Sequence, residues 1–143
     1  MKKNNQFFKV LLVIIASLVF SSCDTESMKK IPVDQFVGNW ELQGRSMLDG
    51  IRVSINKTES GALLGKITEI NQNKYVNFFM KPGDVLVSKI KRSSNSEFRL
   101  TEKKIGSDLF STYGLGTSKE FKVEFIDKNT IKLGSSIVYK RIK

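Results

Sequence analysis

Two hydrophobic patterns divide this chain. Residues 10–20 (VLLVIIASLVF) form one uninterrupted apolar run, and from Trp40 onward apolar and polar residues alternate with a period of two. The first pattern is too short for a bilayer-spanning helix, which takes about 20 residues, and fits the core of a secretory signal peptide. The second predicts strands with one dry and one wet face. Trp40 and Leu42 alternate with Glu41 and Gln43, and Ile51, Val53 and Ile55 alternate with Arg52, Ser54 and Asn56. Leu63, Gly65 and Ile67 share a face opposite Lys66 and Thr68. Leu86, Ser88 and Ile90 alternate with Val87, Lys89 and Lys91, and Phe98 and Leu100 with Arg99 and Thr101. Phe121, Val123 and Phe125 follow, then Ile131 and Leu133, then Ile137, Tyr139 and Arg141.

Turn-forming clusters such as Glu59-Ser60-Gly61, Pro82-Gly83-Asp84 and Asp127-Lys128-Asn129 separate these runs. Residues 75–80 (YVNFFM) are rich in strand formers and predict one further strand. Residues 31–36 predict a short turn or 3₁₀ segment that Asp34 caps. Residues 103–119, with three glycines, predict a long loop or a weak strand around 109–113. About eight to ten short strands without a long amphipathic helix predict an all-β fold. The expected form is an antiparallel up-and-down barrel, which closes on itself and removes exposed edges.

The leader carries Lys2, Lys3 and Lys9 before the apolar run and Ser21, Ser22 and Cys23 after it, and Cys23 is the only cysteine. This arrangement resembles the signal peptide of bacterial lipoproteins, in which lipid is attached to the cysteine and cleavage falls just before it. The resemblance implies a signal peptide over residues 1–22, a palmitate-bearing Cys23 and a tether over residues 23–33. The barrel domain then occupies residues 34–143. It also implies a bacterial cell-envelope protein anchored through its N-terminal lipid, with the choice between inner and outer membrane left open.

Charge and residue types narrow the chemistry. The formal net charge is +10, which favours anionic partners such as acidic polysaccharide or lipid headgroups. Lys89, Lys91, Arg92, Lys103 and Lys104 suggest a basic ribbon on one hairpin, and the export address argues against nucleic acid. With no histidine and one cysteine, the sequence offers no metal-binding cluster, no cofactor motif and no usual general base. Ser54 and Lys57 have Ser-x-x-Lys spacing without the motifs that accompany it in enzymes. Glu41, Glu97 and Glu124 would serve glycoside hydrolysis only if two of them met in space, and exposed strand-face acids are the commoner reading. A non-enzymatic protein is expected.

Gly38-Asn39-Trp40 on the first strand resembles the G-x-W signature of lipocalin-like barrels, and Arg141 stands where the family's ring-stacking arginine is expected. With Gly65-Lys66-Ile67 and the terminal Tyr139–Arg141 strand, the chain is similar to small bacterial lipocalin-like lipoproteins. The resemblance implies that Trp40 and Arg141 close one barrel end. Ile55, Phe78, Phe98, Phe121, Val123 and Phe125 would then line the interior around a small apolar ligand. The alternative is a solid core, in which case the protein serves as an inhibitor, adaptor or envelope-complex subunit, with residues 103–119 as the contact.

Overall fold

The alternating segments become eight strands in a computed structural model that describes residues 30–143. They are β1 (Gly38–Gln43), β2 (Arg52–Lys57), β3 (Leu63–Glu69), β4 (Val85–Arg92), β5 (Phe98–Lys103), β6 (Ser118–Asp127), β7 (Thr130–Leu133) and β8 (Ile137–Ile142). Each pairs antiparallel with the next, and β8 pairs with β1, so the sheet is a closed up-and-down barrel of lipocalin-like form with no free edge. The signal peptide, Cys23 and most of the tether fall outside the described residues.

The barrel has two unlike ends. At the floor lie the tight turns at residues 58–62, 93–97 and 128–129, together with an N-terminal strap, residues 30–37, that contains the 3₁₀ turn Val33–Phe36. At the rim lie the longer connections, residues 44–51, 70–84, 104–117 and 134–136. Asp34 does not cap the 3₁₀ turn. Its carboxylate pairs with Lys57 Nζ at 2.5 Å instead.

Two rim connections hold helices where strands or loops are expected. The strand predicted over residues 75–80 is helix α1 (Lys74–Phe79). Asn73 starts it, its Oδ1 accepting from the N–H groups of Tyr75 (3.0 Å) and Val76 (3.3 Å). Val76 and Met80, four apart, are buried, while Tyr75, Phe78 and Phe79 face out. The cap and this spacing outweigh the strand propensity of the aromatics. Residues 109–113 likewise belong to α2 (Ser107–Thr112) and its C-terminal cap, not to a weak strand.

Register corrects one alternation. Val87 pairs with Glu102 and Lys89 with Thr101, so Ser88 is a bulge residue and drops out of the expected dry set. Leu86 and Val87 are both fully buried, and Ile90 packs against the core. Opposite Val87, Gly65 leaves room for the crowded wall. A Cβ there would lie 2.8 Å from Val87 Cβ and 3.0 Å from Val53 Cγ1.

Candidate functional site

The floor is sealed by stacked aromatic rings and two arginines. Trp40 is fully buried, and its Nε1–H donates to the Phe36 carbonyl at 2.8 Å. The Arg141 guanidinium lies 4.2 Å from the indole centroid and donates to the carbonyls of Val37 (2.8 Å) and Gln35 (2.6 Å). Gly38 explains the first letter of G-x-W. At φ +138° its backbone disfavours any side chain, and a Cβ would fall 2.3 Å from Arg141 Nη1. Phe36 meets Phe98 and Phe125 edge to face, with centroids 5.0 and 4.8 Å apart.

Arg92 is the second clamp. Expected on a surface ribbon, it turns into the floor. There it stacks 4.6 Å from the Phe98 centroid and donates to the carbonyls of Ile31, Ser94 and Asn95. Both guanidinium groups thereby pin the strap across the barrel end.

Above the floor the interior is full. Val53, Ile55, Leu100, Ile131 and Tyr139 offer no surface to water, and Phe98 and Val123 offer 1% and 2%. A chamber of ligand size would leave exposed surface along its wall, so these side chains pack on one another. An eight-stranded barrel is narrow enough for side chains alone to fill it. Ile55, Phe98, Phe121, Val123 and Phe125 therefore face inward as predicted but line a packed core. Phe78 is a correction. It sits on α1 outside the barrel and is 80% exposed, because the helix turns it away from the buried Val76.

One acid enters this core, and it is not among the three that drew attention in the sequence. Glu102 shares the inward face with Phe98 and Leu100 and is 1% exposed. Its carboxylate accepts from the Tyr139 hydroxyl and from Arg45 Nη1, which reaches down from the rim connection 44–51. Asn71 Nδ2 steadies that connection by donating to the carbonyls of Met47 (2.9 Å) and Asp49 (2.8 Å). Among the described residues no buried side-chain polar atom lacks a partner. Glu41 and Glu97, by contrast, pair with Arg52 and Lys122 on the outside, and Glu124 is exposed opposite Lys132.

Burial, helped by the adjacent Glu102 carboxylate, pushes the Tyr139 phenol well above its ordinary value of 10. Such a group favours the folded state fully below pH 10, and the advantage is lost as pH rises because only the unfolded phenol ionises. Stability is expected to fall as pH rises past about 10, and Tyr139→Phe to flatten that decline. Urea midpoints of the two proteins on either side of that pH provide the measurement; parallel slopes would refute it.

The rim is the unlike surface. Of eight large apolar residues exposed among the described residues, seven lie there: Met47, Tyr75, Phe78, Phe79, Leu109, Tyr113 and Leu115. Only Ile126 is elsewhere. A cleft of about 550 Å³ runs between α1 and α2, with Phe78, Phe79, Met80 and Leu109 on its apolar side and Lys103, Lys104 and Asp108 among its polar groups. A shallower depression of about 570 Å³ lies along α1 against Lys74, Tyr75, Phe78 and Phe79. Lys74, Lys81, Lys103, Lys104 and Lys119 surround these side chains, and none forms an ion pair among the described residues. Three of them lie against aromatic rings, with Nζ 5.4 Å from Tyr75, 5.6 Å from Phe110 and 5.0 Å from Phe121. Comparison of the chain with protein-family models, curated proteins and solved structures found no match.

Proposed function

We propose that this chain is a non-enzymatic lipoprotein of the bacterial cell envelope, in which a solid lipocalin-like barrel carries a binding surface at its rim. The observation that carries the reading is the contrast between a packed interior and an end where seven large apolar side chains are exposed. A monomer rarely leaves such side chains clustered on one surface unless something binds them. The anchor is read from Cys23 at the end of the leader. Because the chain enters the barrel at the floor, an acyl group there would tie down the end opposite the rim and leave the rim free. A small apolar ligand is the second reading, and the α1–α2 cleft favours it over the filled interior.

Three measurements on the protein from its own host test this. Cys23→Ala should make its membrane association removable by high salt, since salt-resistant attachment needs the acyl chains. A photocrosslinker at Phe78 should give adducts that the same group at Lys57, on the floor side, does not. Native mass spectrometry should find no molecule held inside the barrel. A lipid or other small molecule released only on unfolding would sink the solid-barrel reading.

A further inference from the structure

We propose that the rim binds the surface of an anionic lipid bilayer, with the tips of α1 and the α2 connection entering the headgroup region. The inference rests on the rim being the binding surface and names what it binds. Shape speaks first. Phe78 and Tyr113 are 80% and 72% exposed, so they project from the rim instead of lining a recess. A protein partner would need a matching pocket for each projection, whereas a fluid interface yields around them. Aromatic side chains are also those most at home at the headgroup level.

Charge supplies the second, independent reason. Lys74, Lys81 and Lys104 on the helix-bearing connections and Lys103 and Lys119 on the adjoining strand ends form no ion pair among the described residues. The connections contribute Asp84 and Asp108 as acids, and the neighbouring Asp49 and Glu69 are engaged by the Arg45 N–H and by Arg52. Asp84 is already engaged, its Oδ2 accepting from the Lys81 backbone N–H at 2.9 Å. The surface is thus apolar at its tips and cationic around them. Lysine stems can lie along apolar groups while the ammonium reaches outward to phosphate. Each lysine near an anionic leaflet strengthens binding by several-fold, and the effect fades with salt.

The test uses residues 30–143, which hold the eight strands of the closed barrel, its core and the strap that seals the floor. Folding of each variant is checked by the emission of Trp40, the only tryptophan. Binding is measured to vesicles of phosphatidylcholine alone and to vesicles with phosphatidylglycerol as about one third of the lipid. The expected result is at least about tenfold stronger association with the anionic vesicles, abolished by high salt. Phe78→Ser with Tyr113→Ser should weaken it by about tenfold or more, as loss of two buried aromatics requires. Lys81→Glu with Lys103→Glu should erase the preference between the two vesicles. Ile126→Ser, away from the rim, should change binding less than twofold.

Failure to bind either vesicle, equal binding to both, or an equal loss in Ile126→Ser would overturn the lipid assignment. An acidic protein that binds through Phe78 and Tyr113 while vesicles are ignored would overturn it too. In that last case the rim remains the binding surface, so the two readings fail separately.

Discussion

Trp40→Ala is expected to destabilise the barrel by about 3–5 kcal/mol, the range for large aromatics removed from a core. Three losses coincide at this position. The indole is fully buried, so its removal leaves a cavity at the barrel floor. The Phe36 carbonyl loses the N–H that satisfies it. Arg141 loses the ring face beneath it, and the guanidinium that holds the strap through Val37 and Gln35 is freed to move. Urea unfolding followed by circular dichroism gives the number. A loss below about 1 kcal/mol would be that of a surface substitution and would place the indole outside the cooperative core. Trp40→Phe keeps a ring under Arg141 but not the N–H, so its cost should fall between.

The second large effect is expected at Arg45. Arg45→Met leaves the Glu102 carboxylate in the core with only the Tyr139 hydroxyl, and breaking a buried pair from one side costs about 3 kcal/mol or more. Arg45 itself is 29% exposed and Glu102 1%, so nearly all the burden falls on the acid. Replacing the whole group together, with Arg45→Met, Glu102→Leu and Tyr139→Phe, should recover most of the loss, because no orphaned polar atom remains. If the triple variant were as unstable as the single one, the cost would lie in packing and not in the stranded charge.

The period-two alternation makes most of the barrel legible in the sequence, since a strand must put successive side chains on opposite faces. The pairing of Trp40 with Arg141 is implied by the resemblance to lipocalin-like barrels, not by the alternation, and the two residues meet across the β1–β8 pairing. What the alternation misses has physical causes. Helix α1 has six residues, too few for a 3.6-residue period to stand out against the strand propensity of Tyr75, Phe78 and Phe79. Asn73 and the Val76–Met80 spacing were the available clue. An inward Phe78 would follow only from a strand over this segment, and the helix turns it outward. The bulge at Ser88 shifts parity without a glycine to announce it. Glu102 could have been found, because it continues the Phe98–Leu100 face, and an acid on that face has to be buried. The inward turn of Arg92 could not, since it depends on where the strap crosses. The rim surface is legible only after folding, because residues 47, 75–79 and 109–115 come together through the barrel's closure.

That closure also dictates when the fold can be completed. Strand β1 needs β8 as its second neighbour, and Arg141 reaches back across 104 positions to Val37. A ribosome therefore releases β1 long before the last six-residue staple exists, and contacts of such long range are slow to form. Until then a half-finished sheet exposes a sticky border that invites chaperones. Under the export proposed above, a final latch supplied by β8 would delay completion by connectivity alone until the chain had crossed the membrane.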